Sequence, residues 1–510
     1  MSDSAMVYLD AHGLPRAQVL HNALCAASGL DALGVQESEC VALLLRNDFS
    51  FVEAQQAAAA IGAYAVPINW HGTPDEVLYI LQDAQPSVLI AHADLLAPLR
   101  GRLPVGLKLV TVPTPPAIVE AFGVDPALTQ AAAGELSWPT WRDSFKPWDQ
   151  PARRSRATMI YTSGTTGRPK AVQRQAATPE QAQAYVKIMQ EVYGTVPGIR
   201  ALVTGPMYHS SPNAFSRQAI QSAELLVMQS KFDPEATLAL IEKHRITHAV
   251  MVPTMFVRLL KLPKDVRERY DVSSLRWVTH TAAPCPLEVK RAMMDWWGPV
   301  IYETYGGSEV GTATVSTPQD WLKHPGSVGV PTAGTRVAFY DEAGQPLADG
   351  EIGEIYMRVP AYADFSYLNN PAKRSEVERD GLISCGDIGY LKDGRLYICD
   401  RRSDMILSAG VNIYPAEIEM NLLECPGVSD CAVFGIPDEE FGESVMAAVE
   451  RMPGDAVSAE SIRHFLGQRL ARYKVPRHIE FHARLPREDS GKIFKRKLRD
   501  LHWQQAGRKI

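Results

Sequence analysis

Between about residues 150 and 310, short apolar, β-branched runs alternate with longer amphipathic stretches: Thr158–Tyr161, Ala201–Thr204, Leu225–Met228, Thr247–Val252, Trp277–Thr281 and Val300–Tyr302. That rhythm predicts βαβ units and a largely parallel sheet. The stretches from Pro234 to His244 and from Pro286 to Trp297 each open on proline, a favoured first helical residue. The N-terminal hundred residues repeat the alternation at Cys40–Leu45, Ala65–Ile68 and Ser87–Ile90. Between about 326 and 400 it gives way to short strands parted by Gly and Asp turns: Arg336–Tyr340, Glu354–Arg358, Gly389–Lys392 and Arg395–Cys399. This predicts an antiparallel or barrel-like subregion. Beyond Asp404, a run at Ser429–Gly435 and a helical stretch at Ala459–Leu470 predict a second, small α+β domain.

With 510 residues, the chain exceeds what one core accommodates, in keeping with two domains. Its 46% hydrophobic and 22% charged residues are those of an ordinary globular protein, and a net charge of −6 gives no footprint for nucleic acid. Seven cysteines, odd in number and without CxxC spacing, predict reduced thiols and a cytoplasmic setting. The polar opening Met1-Ser-Asp-Ser-Ala predicts no secretion signal, and the Ala57–Val66 run is too short to cross a bilayer.

The densest chemistry lies in Tyr161-Thr-Ser-Gly-Thr-Thr-Gly-Arg-Pro-Lys170. Gly164 and Gly167 let backbone N–H groups approach an anion, Thr162, Ser163, Thr165 and Thr166 add hydroxyls, and Arg168 and Lys170 add charge. It is a phosphate loop but not a Walker loop, because GTTGRPK lacks the GK[ST] order. Glu303-Thr304-Tyr305-Gly306-Gly307-Ser308-Glu309 follows a predicted strand, where open α/β sheets bind ligands. Tyr305 can stack on a base there and Glu309 can hold magnesium; alone, the segment reads equally well as a βα turn with a solvated glutamate. Asp387, in the turn Ser384-Cys-Gly-Asp, can accept both hydroxyls of a ribose. The run Asp400-Arg-Arg-Ser-Asp404 reads equally as a solvated link. The tail from Arg484 holds nine Lys/Arg against three Asp/Glu and on composition alone is a basic surface.

Taken together and in order, these motifs resemble the adenylate-forming enzymes: acyl-CoA synthetases, aryl-CoA ligases, nonribosomal-peptide adenylation domains and firefly luciferase. The resemblance runs from about residue 40 to residue 498 and is strongest to a stand-alone acyl-CoA synthetase. It implies an α/β fold with a large N-terminal domain, residues 1–402, of mainly parallel sheets plus a β-barrel-like subdomain. A small mobile C-terminal domain, 403–510, follows a hinge near Ser403, where aspartate or lysine is usual. It implies that ATP, magnesium and coenzyme A serve the reaction, with a carboxylic acid as the small-molecule partner. Thr162, Ser163, Gly164, Thr165, Thr166, Gly167 and Lys170 would cradle pyrophosphate. Ala282, Ala283 and Pro284 would border adenine, with Glu303, Thr304, Tyr305, Gly306 and Ser308 as the stacking and α-phosphate motif. Glu309 and Thr162 would hold the metal, Asp387 and Arg401 the ribose, and Gly410 the pantetheine tunnel. His209 would lie beside the acyl carboxylate, and Lys492 would be the mobile catalytic lysine.

The resemblance further implies an acyl pocket near Met228, Thr254–Arg258, and the flanks of Ala282 and Gly307. Asn213, Phe215, Met255, Phe256, Val310 and Gly311 make it mostly apolar, without an obvious cationic clamp. That favours a hydrophobic monocarboxylic acid, fatty, aryl or steroid-like, with Gly306 and Gly307 leaving room for a ring or chain. Loading of a carrier protein, and a non-catalytic acyl or nucleotide sensor, are the alternatives; a homodimer is left open.

Overall fold

The computed structural model describes residues 5–151, 153–162, 169–402, 404–408, 411–438, 440–487 and 493–505. Ser163, Gly164, Thr165, Thr166, Gly167, Ser403, Gly410 and Lys492 lie outside them.

A nine-stranded sheet carries the alternation seen in the sequence. Its parallel centre runs Ile301–Gly307, Trp277–His280, His248–Met251, Arg200–Val203, Leu225–Met228 and Met6–Leu9. Antiparallel strands extend both edges: Gly311–Ser316 and Val330–Pro331 at one, His12–Pro15 at the other. A second, wholly parallel sheet of five strands runs Tyr64–Pro67, Cys40–Leu44, Val88–His92, Lys108–Val112 and Leu136–Ser137. Its first, second and third strands are fully buried, which explains why they read as continuous apolar runs. Helices Arg16–Ala32 and Phe49–Ala60 bury Val19, Ala26, Phe51, Ala54 and Ala57 in a core shared with both sheets. Helix starts follow the sequence: Thr73 and Thr178 each make a capping box ahead of a proline, and Asp233 caps Pro234–His244.

Three strands depart from expectation. The run at 158–161 does not join the parallel sheet; Ile160–Thr162 pairs antiparallel with Lys170–Arg174, which pairs with Phe365–Tyr367. Too few residues separate the first two for a helical crossover, so a hairpin is the available connection. Second, the strand expected to stop at Tyr302 continues to Gly307 and turns back on Gly311–Ser316. Tyr305 to Gly307 are therefore strand residues in a ββ hairpin, not a βα turn. Third, Asp387 is not in a tight turn but inside Leu382–Lys392, opposite Arg401 of Arg395–Arg401, beside a bulge.

The region from 336 to 401 is antiparallel as predicted, with Arg336–Tyr340, Gly353–Arg358, Leu382–Lys392, Glu378–Arg379 and Arg395–Arg401. After it, Ile406–Ser408, Val411–Ile413, Val428–Asp438, Gly442–Arg451 and His478–His482 form a separate sheet. That sheet packs on helices Pro415–Leu423 and Ala459–Gly467 through Ile418, Leu422, Ile462 and Leu466. Among the described residues no helix is long and apolar enough to cross a membrane.

Candidate active site

The parallel strands of the large sheet end at one cavity of about 2130 Å³, lined by Thr204, Gly205, Val252, Thr281, Ala282, Thr304 and Tyr305. Strand ends are where an open α/β sheet leaves backbone and side chains free to meet a ligand. Thr162, Lys170, His209, Gly306, Ser308, Glu309, Asp387 and Arg401 line the same cavity. Residues up to 239 positions apart in sequence, Thr162 and Arg401, are thus brought together.

Tyr305 donates its hydroxyl to Asp387 Oδ2 at 2.7 Å, and Arg401 Nε stands 3.5 Å from Asp387 Oδ1. Burial first and the Asp387 carboxylate second push the Tyr305 phenol well up, so it stays a donor. Ala282, at the end of strand Trp277–His280, has φ +76, a left-handed conformation that costs a non-glycine residue about 1–3 kcal/mol. Thr281 Oγ1 donates to Thr304 O at 2.9 Å and fastens that turn to the neighbouring strand.

The Glu309 carboxylate accepts the Tyr367 hydroxyl at 3.1 Å. Its backbone is held by Arg174, whose guanidinium donates to Ser308 O at 2.7 Å, Glu309 O at 2.8 Å and Ala363 O at 2.8 Å. Sequence reading missed Arg174. The signal was strand alternation, since Lys170, Val172 and Arg174 fall on one face and all line the cavity. Burial, then nearby Lys373, pushes the Lys170 ammonium down, while Glu376 and Glu309 oppose the shift.

His209 precedes helix Ser210–Ser222, and its Nε2 is shut off from solvent without a hydrogen-bond partner among the described residues. Burial lowers the ring to about 4, so it meets a ligand as neutral imidazole.

Three predicted site residues do not reach the cavity. Ala283 and Pro284 lie beyond the turn, outside its lining. Glu303 is engaged elsewhere: its carboxylate takes the buried Lys290 ammonium at 2.6 Å, with His280 Nε2 at 3.5 Å. The glycines also act otherwise than expected. A Cβ on Gly306 would meet Gly311 O at 2.0 Å, and one on Gly307 would meet Cys385 Sγ at 2.5 Å. Protein, not an acyl group, fills that space. Phe215, Phe256 and Val310 are core residues, whereas Asn213, Met255 and Gly311 line the cavity. Cations line it as well, Arg217 and Arg258 among them.

One strand-end cavity thus gathers the Tyr305–Asp387–Arg401 cluster, the Glu309 carboxylate, and Thr162 and Lys170 from paired strands. Residues 3–364 match the AMP-binding enzyme family, and residues 417–492 match the AMP-binding enzyme C-terminal domain. The chain belongs to the AMP-binding enzyme family. It falls among that family's acyl- and aryl-CoA ligases, which use ATP and coenzyme A and work through an adenylate. It is 32% identical over 480 residues to a feruloyl-CoA synthase from an Amycolatopsis species, covering 93% of this chain and 91% of that one. It is 33% identical over 512 residues to a long-chain-fatty-acid–CoA ligase of Bacillus subtilis, covering 94% and 88%. Its fold superposes with a TM-score of 0.79 on the o-succinylbenzoate CoA synthetase of B. subtilis in complex with its acyl-adenylate, at 25% identity, covering 97% and 95%.

The metal expectation fits in part. Glu309 and Thr162 supply the hard oxygen donors magnesium prefers, but no cluster of three or more His, Cys, Asp or Glu suited to a metal exists among the described residues. Remaining ligands would have to be phosphate oxygens and water.

Proposed function

We propose that this enzyme activates a carboxylic acid with a mainly apolar, monocarboxylic body, fatty, aryl or steroid-like, and passes the acyl group to coenzyme A. One observation carries the reading: a single cavity joins the Tyr305–Asp387–Arg401 cluster, the Glu309 carboxylate and the neutral His209. Feruloyl-CoA synthase and long-chain-fatty-acid–CoA ligase, among its relatives, are named for acids with apolar bodies.

In this reading Asp387 and Arg401 hold the ribose, Tyr305 borders adenine, and Thr162, Ser163, Thr165, Thr166 and Lys170 hold the pyrophosphate end. The acid's carboxylate attacks the α-phosphorus and pyrophosphate leaves; the thiolate of coenzyme A then attacks the acyl carbon and AMP leaves. Two anions must meet in the first step, so fixed positive charge and preorganised donors dominate its rate. Magnesium bound at Glu309 would neutralise phosphate oxygens. His209 offers the carboxylate a hydrogen-bonding nitrogen without adding charge. Lys492 supplies the cation at the transition state, and the small domain that bears it turns about Ser403.

Pyrophosphate release should require ATP, magnesium and an apolar acid, with AMP and thioester appearing once coenzyme A is added. Lys492→Ala should lower acid-dependent pyrophosphate release roughly 10²–10³-fold. Turnover by this variant equal to the parent, or thioester formed only on a carrier-protein thiol, would sink the assignment.

A further inference from the structure

We propose that the acid carries a hydrogen-bond-accepting oxygen at the end remote from its carboxylate, and that Arg217 receives it. This rests on the acid-activating function above.

His209, Asn213 and Arg217 recur at four-residue spacing at the start of, and along, helix Ser210–Ser222, so they share one helix face, and all three line the cavity. Arg217 stands two turns from His209, about 12 Å along the axis. That is the depth of a substituted aromatic or medium-chain acid whose carboxylate lies at His209.

The polar groups between them are already matched. Gln55 Nε2 donates to Asn213 Oδ1 at 2.8 Å and to Thr158 Oγ1 at 3.0 Å. The Thr158 hydroxyl donates to Asn213 Oδ1 at 2.9 Å, and Asn213 Nδ2 donates to Met207 O at 2.8 Å. Arg217 differs. Its guanidinium has five N–H donors, yet among the described residues it makes one long bond, from NH1 to Thr158 Oγ1 at 3.3 Å, and no ion pair. The arginines nearest in role are otherwise employed: Arg174 holds three backbone carbonyls.

A wholly apolar tail packed at Arg217 would strip water from these donors and return nothing. An oxygen acceptor replaces that water, and a site built to bond such an oxygen rejects the analogue lacking it. A ketone or a hydroxyl presents this chemistry and leaves the acid monocarboxylic, whereas preference for a second carboxylate would correct the monocarboxylic reading above; the expectation of a hydrophobic monocarboxylic acid without a cationic clamp overlooked Arg217, eight residues beyond His209.

The test measures kcat/KM for pyrophosphate release with 3-phenylpropenoic acid and its para-hydroxy, para-acetyl and para-carboxy derivatives, and with octanoic acid and its terminal hydroxy and carboxy forms. The parent enzyme should prefer an oxygen-bearing member over its unsubstituted counterpart by about ten-fold or more. Arg217→Met, close in length but without donors, should bring that ratio near one. Arg217→Lys should restore part of it for carboxy derivatives if the distal group is anionic, and little for ketone or hydroxyl if it is neutral. The ratio within one variant is insensitive to the fraction folded. Pyrophosphate release from these acids with no preference, or an equal loss in Arg217→Met on substituted and unsubstituted members, overturns this proposal alone. No release with any acid overturns the ligase function and this proposal with it.

Discussion

Burial holds His209, His244, His248 and His280 below the ordinary imidazole pKa of about 6.5, with desolvation the leading cause for each. For His280 the buried Lys290 ammonium adds to it. The sign is fixed by linkage. Between about 6.5 and the folded value near 4 for His209, the unfolded chain binds more protons, so stability rises with pH and is lost on acidification through that window. The thermal midpoint should therefore fall between pH 6.5 and 4, and His209→Gln should flatten part of the slope. Kinetics give a second check, because a neutral His209 predicts no step from this group between pH 6 and 8. An acidic limb centred near 6.5 that vanishes in His209→Gln would show that the ring is wet and charged at work.

At the scale of elements, the hairpin of Ile301–Gly307 and Gly311–Ser316 carries Tyr305 and Glu309 and depends on the closeness of its strands. Gly306→Ala would place a Cβ 2.0 Å from Gly311 O, a backbone atom that cannot swing aside. Overpacking of this kind costs about 1–3 kcal/mol, and here it also shifts Tyr305 and Glu309. The variant should show a lower melting temperature and more than about ten-fold weaker ATP-dependent turnover, a 1 Å misplacement being worth about that much or more. Wild-type stability and turnover would mean that the hairpin yields. This element also marks what was legible in sequence. Short continuous apolar runs and capped helix starts disclosed the parallel strands, because burial on both faces leaves no alternation. The motif residues Tyr305, Asp387 and Arg401 were legible as chemistry. Their backbone setting was not: a strand that runs on past its apolar part, as 303–307 does, is held by cross-strand bonds to residues whose partnership no local pattern encodes. The same holds for Glu303, whose carboxylate looked like part of the ligand motif until Lys290, thirteen residues earlier, took it. Arg174 and Arg217 were missed because an isolated arginine says nothing of the surface it faces.

For the whole molecule, the decisive question is whether one arrangement of the two sheet systems serves both half-reactions. Strand Arg395–Arg401 belongs to the antiparallel sheet of the large part, and Ile406–Ser408 already pairs with Gly442–Arg451 of the other. The crossing is short, with Asp404 N and Met405 N both returning to Arg401 O at 3.0 Å. Among the described residues, Ala416 N donates across to the buried Asp400 Oδ2 at 2.8 Å, while Lys261 Nζ to Ser429 Oγ at 3.4 Å and Asn412 Nδ2 to Glu342 Oε1 at 3.2 Å are exposed. The exposed bonds contribute little, so rotation about the short connection costs chiefly the Ala416–Asp400 bond beside it. If the small domain must bring Lys492 to the phosphate and then make way for a thiol, fixing it should stop the cycle. Lys261→Cys with Ser429→Cys, joined by a short bis-maleimide, tests this on a chain whose seven native cysteines are all buried or half-buried. Joined enzyme should lose steady-state thioester formation by well over ten-fold while the unjoined double variant keeps it, and a cleavable linker should restore turnover when cut. Undiminished turnover in the joined enzyme would show that one fixed arrangement carries out both steps, and the hinge at Ser403 would then have no part in catalysis.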